Sequence, residues 1–90
     1  MFTIHKFPLT VTDEQTISLP RDARILTVDQ QNGQLCLWAL VDDQQPTKET
    51  HTLRIVGTGH PVNDAHELVH ISTVVIESMN LVWHVFEKVS

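Results

Sequence analysis

Apolar and polar residues alternate along much of this chain with a period of two, the spacing of half-buried β-strands. Phe2, Ile4, Phe7, Leu9 and Val11 stand among polar neighbours. Pro8 removes a backbone donor from their middle, which predicts an edge strand or two short strands meeting at a bend. Asp13-Glu14-Gln15 forms a polar turn before the alternating run Thr16-Ile17-Ser18-Leu19, which Pro20 stops. Arg21-Asp22-Ala23 then turns the chain into Ile25.

The strongest local signal is Asn32-Gly33, a pair that tolerates the positive φ values of a two-residue type I′ hairpin loop. That loop places Gln31 opposite Gln34, Val28 opposite Leu37 and Leu26 opposite Ala39. One face of the hairpin then carries Leu26, Val28, Leu35, Leu37, Ala39 and Val41, and the other Ile25, Thr27, Cys36, Trp38 and Leu40. A strand apolar on both faces is either covered on both sides or offers one face to a partner subunit.

Asp42 to Thr50 reads as a polar loop. From His51 to Val56, Leu53 and Ile55 share one strand face, while Arg54 and Val56 share the other. Gly57-Thr58-Gly59-His60-Pro61 ends that strand. Asn63 or Asp64 caps a helix of one or two turns, with Glu67 at the capping-box distance from Asp64. Ile71, Thr73, Val74, Val75 and Ile76 are β-branched and favour a strand. With Met79 and Asn80 as a two-residue loop, Val74 and Ile76 share a face with Trp83 and Val85 of the last strand, Val82 to Val89, and Val75 lies opposite His84. The expected fold is all-β: a small barrel or sandwich of six or seven antiparallel strands with at most one short helix, residues 1–90 making one domain.

Composition narrows the function classes. Six Lys and Arg against eleven Asp and Glu give a formal net charge of -5, and no Lys or Arg lies between Arg54 and Lys88. Such a surface has no continuous basic track for a phosphate backbone, so no nucleic-acid partner is expected and basic partners fit better. The single Cys36 sits in the most apolar run and reads as a buried reduced thiol, a poor nucleophile. No apolar leader and no membrane-length apolar run is present, which predicts no membrane partner and a cytoplasmic protein.

His66-Glu67-Leu68-Val69-His70 matches the His-Glu-x-x-His pattern. On a helix both imidazoles reach one zinc and the glutamate deprotonates the bound water, with His60, Asp64, Glu77 or His84 as the third ligand. The adjoining β-branched run opposes a long helix, however, and on a strand residues four apart are roughly 13 Å apart, too far for one ion. His66, Glu67 and His70 therefore read first as solvated loop and cap residues, with no cofactor or metal expected and no enzyme activity assigned. No Ser-His-Asp constellation can be argued.

Other residues suit ligand contact. Gly57, Thr58, Gly59 and His60 form a turn whose N–H groups and hydroxyl can face an anion, although tight-turn geometry alone also accounts for the glycines. Trp38, Arg54 and His84 are the strand residues suited to gripping a nucleotide or a protein partner. Arg54 in mid-strand needs solvent or a carboxylate, for which Asp29 and Glu87 are available. Trp83 is expected in the core, and Trp38 in either core or interface.

Taken together, Ile4-His5-Lys6-Phe7-Pro8-Leu9, the segment from Asp13 to Pro20, Leu35 to Asp42, Ile55 to Pro61 and Val82-Trp83-His84-Val85-Phe86-Glu87 cover nearly the whole chain. In these segments it resembles a family of small proteins of unknown function encoded by bacteriophages and prophages. The resemblance implies a phage context and action in the bacterial host cytoplasm, without a catalytic assignment. Two functions follow as expectations: an accessory protein that contacts a host protein, blunting a defence or redirecting a metabolic enzyme, or a homo-oligomer that sequesters a small nucleotide-like signal at its interface. A zinc-dependent hydrolase is a distant third.

Overall fold

In the computed structural model, which describes residues 1–89, the alternation resolves into seven strands. These are β1 (Phe2–Pro8), β2 (Glu14–Pro20), β3 (Arg24–Gln31), β4 (Gln34–Asp42), β5 (Lys48–Gly57), β6 (Leu68–Ile76) and β7 (Leu81–Lys88). Two single 3-10 turns, Ala65–Glu67 and Glu77–Met79, are the only helical pieces among the described residues. All pairings are antiparallel. They build a three-stranded sheet ordered β1-β4-β3 and a four-stranded sheet ordered β2-β5-β7-β6, arranged as a sandwich. Strand β2 alone leaves the first half of the chain to join the second sheet.

Inward-facing positions supply one shared core. Leu9, Val28, Leu35, Leu37, Ala39 and Val41 come from the three-stranded side, and Leu19, Leu53, Ile55, Val74, Ile76 and Val85 from the four-stranded side. Each buried Leu, Ile or Val contributes about 1.5–3 kcal/mol relative to exposure, so eleven such positions in a small chain hold the layers together. Trp83 packs against this core, and Cys36 is free and buried.

The Asn32-Gly33 turn forms as expected, with φ of 53° and 80°. Gln31 opposes Gln34 and Val28 opposes Leu37, but the expected Leu26–Ala39 pair does not form: a bulge between Ile25 and Thr27 puts Ile25 opposite Ala39. Ile25 thus turns to the core and Leu26 to solvent. A second bulge lies between His70 and Ser72. The two bulges serve one corner, where the Ser72 hydroxyl accepts from the Val28 amide at 2.9 Å and lies 3.2 Å from the Thr27 hydroxyl, joining the edge of β3 to β6.

The last hairpin also departs from expectation. Its connection is Glu77–Asn80, closed by Asn80 in the left-handed region, so Ile76 opposes Leu81 and His84 opposes Thr73 instead of Val75. The register moves by two residues, which leaves every side chain on its expected face. Strand β5 starts at Lys48, taking Lys48–Thr50 out of the expected loop through pairing with β2. On the side opposite the β3–β6 corner, β2 lies against β4, and β1 overhangs far enough that even its inward-pointing His5 is exposed.

Candidate functional site

The outer face of the four-stranded sheet gathers the chemistry-bearing residues, because strand parity puts Arg54 and Val56 of β5, His84 and Phe86 of β7, and Thr73 of β6 on one side. Arg54 pairs laterally with Glu14 and Phe86, and Val56 with His84. Beyond β5 the chain turns at Gly57, whose carbonyl accepts the His60 amide at 3.2 Å, with Gly59 at φ 87°. Gly57 itself needs no positive φ. A Cβ there would stand 3.3 Å from His60 Cε1, closer than usual, and 3.5 Å from Trp83 Cζ3, an ordinary contact, so its hydrogen is what lets the His60 ring close on the strand.

Arg54 is already engaged. Its Nε donates to Asp64 Oδ2 at 2.9 Å, Nη2 to Asp64 Oδ1 at 3.1 Å and Nη1 to the Asp13 carbonyl at 2.7 Å. The side chains of the pair are only 15% and 17% exposed. This two-pronged bond holds the β5–β6 connection down on the sheet and ties it to the start of β2. The Arg54 guanidinium, with a smaller contribution from Lys88, lowers the Asp64 carboxyl to about 2 and raises Arg54 in return. Neither Asp29 nor Glu87, the partners expected from the sequence, serves: Asp29 lies on the other sheet, and Glu87 Oε2 is 2.7 Å from His51 Nδ1. Nor does Asp64 cap a helix through its side chain. Nothing in the local pattern marks Asp64 as the partner, since only the path of the β5–β6 connection brings it back to the strand.

Beside the arginine runs a chain of hydrogen bonds. Thr58 Oγ1 lies 2.7 Å from His84 Nε2, His84 Nδ1 lies 3.1 Å from Thr73 Oγ1, and Thr73 Oγ1 lies 3.0 Å from His70 Nε2. The His70 ring meets the edge of Phe86 with centroids 5.4 Å apart. With both ring nitrogens engaged, His84 is held in one orientation, and its proton position is coupled through Thr73 to that of His70. Thr73 and His70 were not among the ligand-contact candidates. Their place follows from the two-residue register change and the bulge before Ser72.

A cleft of about 580 Å³ opens on the Arg54 side, lined by Asp13, Glu14, Arg54, Val56, His60 and Pro61. A second hollow of about 360 Å³ lies across His60, against Gly57, Thr58, Leu81 and Trp83. The structure therefore brings Arg54, Gly57, Thr58, Gly59, His60 and His84 to one region. It places Trp38 elsewhere, half-buried on the outer face of the three-stranded sheet. Charge decides what the larger cleft can hold. Asp13, Glu14 and Asp64 outnumber Arg54 and Lys88, and three of the five guanidinium N–H donors are already committed, so a phosphate entering here meets more carboxylates than free donors.

The His-Glu-x-x-His stretch does not lie on a helix. His66 and Glu67 belong to the 3-10 turn and His70 to β6, so the two imidazoles do not share a helical face. No group of three or more His, Cys, Asp or Glu side chains converges as a metal site among the described residues, with Asp64 held by Arg54 and Glu77 in the turn before β7. No helix of the described residues is long and apolar enough to cross a membrane.

Neither a curated protein nor a solved structure matches the chain. A family model does match, over residues 1–90. The chain belongs to the family described as a domain of unknown function, DUF7352.

Proposed function

We propose that this chain is a binding module that works by contact with a protein, through the outer face of its three-stranded sheet. One observation carries the reading: that face is apolar and open. Phe2 and Ile4 are 67% and 57% exposed, Trp38 and Leu40 are half-buried beside them, and no other element of the described chain lies over them. Protein-recognition patches have this make-up, with an aromatic anchor at the centre and charges at the rim. Lys6 and Arg24 flank the patch, and the net charge of -5 favours a partner whose surroundings are basic.

The resemblance to phage-encoded proteins supports a host protein as that partner, met in the bacterial cytoplasm, and action by occupying the partner's surface instead of by chemistry. The competing idea, sequestration of a nucleotide-like signal at Arg54 and Gly57–His60, is opposed by the acidic lining of the cleft and the engagement of Arg54. The test is affinity capture from bacterial lysate with the native chain, Trp38→Ser and His84→Ala, each checked for unchanged thermal unfolding. A host protein retained by the native chain and His84→Ala but weakened at least about tenfold by Trp38→Ser is the expected result. Capture indifferent to Trp38, or native mass spectrometry showing a small molecule lost on His84→Ala, overturns the proposal.

A further inference from the structure

The four edge strands of the sandwich are not equivalent. Strands β3 and β6 close on each other through Ser72, so their edges are not free. Strand β2 is a polar edge: the amide of Ile55 donates to the Asp13 carbonyl and that of Arg21 to Thr47, which fixes the odd residues as those bonded to β5. The outward-pointing residues are then Glu14, Thr16, Ser18 and Pro20. Strand β1 differs. Leu9 donates to the Leu35 carbonyl and Asp43 to the Met1 carbonyl, so again the odd residues face β4. The free N–H and C=O groups belong to Phe2, Ile4 and Lys6, and the side chains of Phe2 and Ile4 continue the apolar face of the sheet up to that bare edge.

We infer that β1 is a pairing edge for a second copy of this chain, in an antiparallel β1–β1 ladder centred on Ile4. In that register Ile4 opposes Ile4 of the second copy and Phe2 opposes Lys6 of the second copy. These three residues already carry the outward donors and acceptors, so each rung exchanges both N–H···O bonds. Pro8, the outward position without a donor, falls past the last rung. Side chains agree with backbone: the two Ile4 residues join the Leu40 rows of both copies into one apolar stripe, and the Lys6 stem lies against the Phe2 ring of the other copy. Asp42, beside Phe2 on β4, is two strand spacings, about 10 Å, from that lysine's backbone, a gap its side chain covers. Lys6 exchanges its bond to Gln31 to do so.

A strand of another protein would need only a free edge. The match of apolar, aromatic and lysine positions about Ile4 is what selects a copy of the same chain. The overhang of β1 leaves room for the contact, because the four-stranded sheet stops short at β2. The result is a six-stranded sheet with the two proposed binding faces merged side by side. The inference is independent of the binding function, since it rests on main-chain groups at the edge and not on Trp38.

The experiment is sedimentation equilibrium on the native chain, Ile4→Pro and Thr16→Pro, with hydrogen exchange of the β1 amides followed by NMR across a concentration series. Both substitutions remove an outward N–H from an edge position that β-strands tolerate as proline, so neither breaks a bond to β4 or β5. The expected result is a native dimer of twice the 10.2 kDa chain mass, an Ile4→Pro variant whose dimer dissociation constant rises at least about tenfold, and a Thr16→Pro variant like the native chain. Ile4 and Lys6 amides become protected as concentration rises. A native chain that stays monomeric up to about 1 mM, or a dimer in which Ile4 exchanges as a free amide, overturns the inference whether or not the variants fold. Capture of a host protein through Trp38 by a monomer would leave the binding function standing and remove only this ladder.

Discussion

Gly57 and Asp64 show how single residues set the candidate site. An alanine Cβ at Gly57 falls inside ordinary contact distance of the His60 ring, which lies at a turn and can swing, while Trp83 is held by the core. Gly57→Ala is expected to displace His60 and cost about 1 kcal/mol, read from the denaturant midpoint together with the His60 ring shifts in NMR. At Asp64 the sign of the pH effect is fixed. The Arg54 guanidinium lowers its carboxyl from 3.8 to about 2 in the folded chain, so the contribution to stability is complete above pH 4 and is lost as pH falls from there toward 2. Asp64→Asn is expected to remove that limb from a plot of unfolding free energy against pH while leaving the slope above pH 5 unchanged. That Arg54 needs either solvent or a carboxylate is legible in the sequence. Its partner is not, because Asp64 reaches it through a connection whose course no local pattern encodes.

Among the elements, the strands were readable wherever apolar and polar residues alternate, and the Asn32-Gly33 turn fixed its hairpin as far as Val28. What alternation cannot show is an inserted residue: both bulges arise where the sheets meet at Ser72, a contact between segments far apart in the chain. The consequence is testable at two neighbours. Ile25→Ala is expected to cost about 1.5 kcal/mol and Leu26→Ser less than about 0.5 kcal/mol, measured by chemical denaturation, the reverse of what an unbroken hairpin would give. The turn offers a third substitution: Gly33→Ala, forced to a φ near 80°, is expected to cost about 1 kcal/mol by the same measurement. The His66 to His70 stretch went the other way. A pattern that acquires meaning only on a helix lies half in a turn and half in a strand, where β-branched neighbours favour extension.

For the whole molecule, topology joins distant segments: β1 finds β4 and β2 finds β5, each across intervening strands, and only β3–β4 and β6–β7 are hairpins. Loop closure must precede such pairings, so refolding from denaturant is expected to take milliseconds to seconds in stopped-flow fluorescence, in the range of sandwiches and not of helical bundles. The division of strands between the sheets has another consequence. Residues 2–42 hold the entire three-stranded layer plus β2, and residues 48–88 hold the rest of the other layer, with a five-residue connection between them that is exposed except at the half-buried Gln45. A backbone cut in that connection yields two pieces that each lack half a core, one carrying an orphan strand and the other the vacancy it fills. Such pieces have reason to find each other, and the domain becomes a two-part device whose halves report, by reassembling, whether the proteins fused to them have met.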